Sequence, residues 1–136
     1  MKRLLLLIPI LAVALMAVPA DQAEATSEFS KVWKAEYLGE DADADFKSVA
    51  RKANCYVCHV KKEKKDVRNE YGKAVHKFLD KEKYDKEYVK ANPEKANQEI
   101  LEGIKKANEL KSTDGRTFKE KLEANELPAT DANLDG

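Results

Sequence analysis

The chain has 136 residues, with 25 basic side chains against 25 acidic ones and a formal net charge of zero. Binding to nucleic acid by bulk basic charge is excluded, since there is no basic surplus to neutralise phosphates. Charged residues make up 37% of the sequence, which leaves little apolar material for a large all-protein core.

The first residues, MKRLLLLIPILAVALMAVPA, carry a basic head at Lys2 and Arg3 and then an apolar run from Leu4 to Val18. Small residues follow and offer cleavage after Ala20 or after Ala25. That layout predicts a secretory signal peptide over residues 1–25, and hence export to the periplasm or the exterior. An uncleaved membrane anchor is the alternative. The apolar run is shorter than the roughly 18 to 20 residues a spanning helix needs, and Pro9 and Pro19 interrupt it. No later stretch is apolar enough to span a membrane.

The exported part predicts an all-α fold, because no sustained alternation of β-branched and aromatic residues occurs. Residues 26–45 form an N-terminal helix and an acidic link. Thr26 or Ser27 caps that helix, Phe29, Val32, Trp33 and Tyr37 line its apolar face, and Gly39 ends it. Asp45 caps a short helix over 46–53 with Phe46, Val49 and Ala50 on one side. After the cysteines a helix over 67–79 carries Val67, Tyr71, Ala74, Val75, Phe78 and Leu79 at three-and-four spacing.

Asn92 and Pro93 open the next long helix, which runs to about Leu110. STDG at 112–115 predicts a turn, and Thr117 with Glu120 predicts a capping box for a last short helix. Residues 46–127 thus make one small domain, and 128–136 a flexible tail.

Both cysteines and one of the two histidines lie in ANCYVCHV, residues 53–60. Cys-x-x-Cys-His is the attachment signature of c-type haem. Thiols at that spacing reach the two vinyl groups of one porphyrin, and the next residue, His59, is then placed to bind the iron. Cys55 and Cys58 are therefore the candidate covalent haem ligands and His59 the candidate proximal iron ligand.

Three other uses of the motif compete. A zinc site would have to draw on Cys55, Cys58, His59 and His76, and the adjacency of Cys58 and His59 strains joint binding of one ion. A dithiol redox pair ordinarily sits in a βαβ context that this helical pattern lacks. A structural disulfide across two residues closes too small a loop to stabilise much.

Two longer stretches widen the case. With CYVCHVKKEKKDVRNEYGKAVHKFL (55–79) and STDGRTFKEKLEANELP (112–128), the chain resembles a group of small exported bacterial monohaem cytochrome c-like proteins. The likeness extends over roughly residues 45–128, and it implies one covalent haem c and electron transfer without naming a partner.

Methionine is a common distal ligand, but Met1 and Met16 both fall in the signal peptide. His76 is the candidate sixth ligand. With Val67 at zero on a helical wheel, the apolar face centres at about 40° and His76 falls at about 180°. That position also suits a solvent-facing histidine. Alternatively, the smooth side around Gly72 lets a haem approach this flank. Without His76, a lysine, water or an open position remains.

Six-coordinate iron suits an electron carrier rather than an enzyme. An open sixth position suits a haem-based small-ligand sensor or a weak peroxidase. A third possibility is a structural or metal-binding protein without haem.

Charge is unevenly spread. Residues 21–45 hold two basic and eight acidic groups, a net of −6, whereas 46–90 hold 14 and seven, a net of +7. Lys61, Lys62, Lys64 and Lys65 follow the motif directly and could steer acidic redox proteins towards a haem edge. The same lysines also suit a plain solvated face.

Overall fold

In the computed structural model, which describes residues 24–64 and 66–135, side-chain caps set where most helices begin. The predicted signal peptide falls almost wholly outside the described residues, and Lys65 lies outside them too. Six helices follow in order: α1 Glu24–Tyr37, α2 Ala44–Ala53, α3 Glu70–His76, α4 Lys86–Ala91, α5 Pro93–Asn108 and α6 Phe118–Glu123. A 3₁₀ turn, Asn54–Val57, joins α2 to the histidine of the motif. Among the described residues there are no strands, only two isolated bridges, His59 with Arg68 and Lys111 with Thr117. The expected all-α class holds.

Several helix ends differ from expectation for local reasons. The α1 backbone is helical from Glu24, so Thr26 and Ser27 lie inside the helix rather than before it. Asp43, not Asp45, caps α2 by accepting from the Phe46 amide at 2.8 Å. Asp45 then sits in the first turn, where its charge favours the helix dipole. The buried face of α2 is Phe46, Ala50 and Ala53, and Val49 faces out at 48% exposure.

The helix predicted over 67–79 is shorter at both ends. Asn69 caps it by accepting from Gly72 N at 2.8 Å, which leaves Val67 and Arg68 outside the helix. Val67 and Phe78 therefore lie off the buried stripe, 37% and 42% exposed, while Tyr71, Ala74, Val75 and Leu79 are buried. α5 begins at Pro93 as expected, but Asn92 makes no side-chain cap and donates instead to Tyr88 O at 3.2 Å. The Thr117–Glu120 capping box is present on α6.

α5 is the central element, packing against α1, α3, α4 and α6. Ala96, Ile100, Gly103, Ile104 and Ala107 form its buried stripe. Leu79, just past the end of α3, packs onto α5 at Gly103, where an added Cβ would lie 2.3 Å from Leu79 Cδ2. A buried hydrogen-bond chain joins three helices. Trp33 Nε1 donates to Tyr71 OH at 3.0 Å, Tyr71 OH to Asn108 Oδ1 at 2.9 Å, and Asn108 Nδ2 to Tyr37 OH at 2.6 Å. Each polar group of this chain of bonds thus finds a partner, as a low-dielectric interior demands.

The segment expected as a flexible tail is instead docked. Pro128 and Ala132 are buried, and Lys61 N donates to Ala132 O at 2.9 Å. Glu70 receives bonds from Thr130 N and Oγ1, both at 2.8 Å, and Asp131 accepts from Glu70 N at 2.8 Å. The tail's lack of regular structure gives no sign of this, because its bonds are to residues some 60 positions away.

Candidate haem-attachment site

Cys55 lies in the 3₁₀ turn and Cys58 closes it. The two thiols stand three residues apart across the turn, near enough for Cys55 to bear electrostatically on Cys58. The Cys55 carbonyl accepts from both Cys58 N at 3.2 Å and His59 N at 3.1 Å. Cys55 is exposed, and Cys58 is partly accessible as a residue. The Cys58 sulfur nevertheless sits deep enough that burial pushes its thiol up to about 12; the neighbouring Cys55 adds to the rise and Arg68 opposes it. A thiol held protonated is a poor nucleophile for disulfide exchange, which requires the thiolate.

His59 is partly buried and bridge-paired with Arg68. Its Nδ1 lies 3.3 Å from the Val67 carbonyl. A carbonyl can only accept, so this bond places the proton on Nδ1 and leaves the Nε2 lone pair for a metal.

Asn69, to which the sequence reading assigns no role, holds the loop in place. It is fully buried, and its Nδ2 group donates to Tyr56 O and Val57 O at 3.0 Å and to His59 O at 3.3 Å. Its backbone amide donates to Cys58 O at 3.1 Å, while its Oδ1 caps α3. The only signal in the sequence is an asparagine three residues before a buried glycine.

Gly72 carries the same contact further. A Cβ there would stand 2.0 Å from Cys58 O, so the loop backbone rests directly on α3. The smooth flank at Gly72 is therefore filled by the protein's own chain, which corrects the expectation that it admits a haem.

His76, in the last turn of α3, is half-buried, with its ring edge-on to Phe29 at 5.9 Å between centroids. It is not the freely solvated histidine that the wheel allows. Burial, then the charges of Arg68, His59 and Lys81, lower its pKa to about 4, with Asp80 opposing. Its imidazole is thus neutral at pH 7, the form that binds metals. His59 and Arg68 both lie near enough for their charge to bear on it.

The lysine run is less uniform than its sequence implies. Lys61 Nζ donates to Leu134 O at 2.9 Å and is tied to the tail, whereas Lys62 and Lys64 are exposed.

The donor set suits a covalent haem, with two thiols three residues apart and, directly after them, an imidazole bonded through Nδ1. No three His, Cys, Asp or Glu side chains converge as a metal-ion site among the described residues, so the zinc alternative has no ligand set there. Two clefts, of about 310 and 450 Å³, are lined by other residues, chiefly around Tyr84 and Phe118. The chemistry of the turn, not a preformed cavity, carries the case. No described helix is long and apolar enough to cross a membrane. Comparison with protein-family models, with curated proteins and with solved structures gives no match.

Proposed function

We propose that this chain is an exported monohaem c-type cytochrome that carries single electrons between protein partners. The observation that carries the proposal is the His59 Nδ1 bond to Val67 O, made by the residue that directly follows the paired thiols. It fixes the tautomer that a proximal iron ligand needs. Cys55 and Cys58 would hold the porphyrin covalently, His59 would ligate its iron, and His76 is the residue proposed for the sixth position. When bound, the haem supplies a one-electron couple.

The protein's own part is positional. Asn69 and Gly72 hold the loop against α3, and Phe29 packs beside His76. Neutral His76, beside the proximal histidine rather than out in solvent, favours electron transfer over ligand sensing or peroxidase chemistry. The exposed Lys62 and Lys64 suit brief, salt-sensitive encounters with acidic redox proteins.

The test is visible absorption of protein exported from cells competent for cytochrome c maturation, taken oxidised, reduced, and reduced under carbon monoxide. The expected result is a covalent low-spin haem, not extracted by acidified solvent and indifferent to carbon monoxide. Ready carbon monoxide binding overturns His76 ligation and moves the assignment to small-ligand binding. A colourless protein overturns the haem reading altogether.

A further inference from the structure

Arg68 Nε is the one buried side-chain nitrogen or oxygen among the described residues that has no hydrogen-bond partner. Leaving such a donor unpaired costs about 1–3 kcal/mol, and more for a charged group. Such orphans are rare in native structures and call for an explanation, of which a bound group outside the chain is one.

The surroundings supply no internal partner. Glu70, two residues on, gives its carboxylate to Ser112, Thr113 and Thr130. Asp66, two residues back, is exposed and makes no bond to Arg68. The locality is also cationic: Arg68 and Lys81 both bear on His76, with Asp80 opposing them.

Position narrows the choice of anion. Arg68 is bridge-paired with His59, and its charge reaches both Cys58 and His76. It therefore borders the residues that would grip the porphyrin and its iron. A guanidinium pairs best with a planar carboxylate, and haem carries two propionates.

We infer that Arg68 anchors one haem propionate, the guanidinium completing its buried Nε–H on a carboxylate of the porphyrin attached at Cys55 and Cys58. This rests on the haem reading above. Arg68 is a positioning residue: it orients the ring over His59 and neutralises a carboxylate at the ring's edge.

Resonance Raman spectra of the exported, haem-loaded protein test it, comparing the parent with Arg68→Met and Arg68→Lys after circular dichroism confirms that helix is retained. The expected result is a shifted propionate-bending band in Arg68→Met and a partial return in Arg68→Lys. The reduction potential gives a second reading. It should vary little with pH in the parent and gain a break in the carboxylate range in Arg68→Met, because the released propionate then titrates.

A haem-loaded Arg68→Met protein with the parent's band and pH profile overturns this inference alone. A variant that loses its helix is replaced by Arg68→Lys, whose partly shifted band with a small break in the pH profile supports the anchor and whose full identity with the parent overturns a guanidinium-specific role. A parent chain that takes up no covalent haem overturns the inference together with the reading beneath it.

Discussion

Replacing Asn69 with alanine removes three things at once, and their sizes can be worked separately. The α3 N-cap is lost, at about 1 kcal/mol. The carbonyls of Tyr56 and Val57, each 3.0 Å from Asn69 Nδ2, lose their donor at about 1 kcal/mol apiece. The longer bond to His59 O, at 3.3 Å, adds less.

The expected loss is about 3 kcal/mol, a large share of the 5–15 kcal/mol typical of a domain. It corresponds to a fall in Tm of roughly 10 °C or more at this chain length. Asn69→Ser keeps an acceptor for the cap but has no amide to reach the loop, so about 2 kcal/mol of the loss should remain. Denaturant unfolding followed by circular dichroism gives both values, and haem absorbance per protein reports the effect on attachment. An Asn69→Ala protein within about 0.5 kcal/mol of the parent would refute the claim that this amide holds the loop.

Glu70 sets an acid limit on stability. Burial alone would raise its pKa, but bonds from Thr130, Ser112 and Thr113 hold it down at about 2. A carboxyl depressed in the folded state stabilises above its unfolded pKa, and that stabilisation is lost as pH falls from about 4.5 towards 2. Tm measured across that window should fall in the parent, and Glu70→Gln should be less stable at neutral pH with a flatter acid limb; parallel curves would refute the assignment. Gly72→Ala gains up to about 1 kcal/mol of helix propensity but drives a Cβ to 2.0 Å from Cys58 O. Since that neighbour is backbone, the loop must move, at a cost of about 1–3 kcal/mol or more, so Tm and covalent haem yield should fall together. Removing residues 129–136 deletes the Thr130 and Asp131 contacts to Glu70 and frees Lys61; limited proteolysis should then cut earliest around Lys61–Lys64, and an unchanged cleavage pattern would count against the docked tail.

What could be read in advance follows the range of the interactions. The buried stripe of α5, the Pro93 start and the Thr117–Glu120 box depend on neighbours within one or two helical turns, and the periodic pattern carries them directly. The start of α3 was obscured because Val67 keeps the helical period, yet the Asn69 side chain offers a cap and Val67 O is taken by Val60 N and His59. The two thiols and His59 were legible from their spacing. Arg68 and Asn69 were visible only within a resemblance, and Gly72 only as a small residue on its helix flank, since the loop that Asn69 and Gly72 hold lies about a dozen residues back across a turn. The tail was misjudged for the same reason on a longer scale: Glu70 binds Thr130, and no local periodicity encodes a partner so distant.

A four-residue 3₁₀ turn has poor intrinsic hydrogen bonding and little stability of its own. The two cysteines of the turn and the imidazole after them therefore need an external scaffold, and the residues that supply it form a chain of contacts. Asn69 binds the carbonyls of the turn, Gly72 lets Cys58 O rest on α3, and Tyr71, between them, is fixed through its hydroxyl by Trp33 and Asn108. The turn is thereby tied through α3 to α1 and α5. The same short stretch also supplies Val67 O for His59 and the unpaired Nε of Arg68. Residues 67–72 thus hold the loop, bond the His59 ring and carry the unpaired Arg68 donor. If the proposed haem attachment holds, substitutions there should lower covalent haem yield about as strongly as substitutions next to the cysteines.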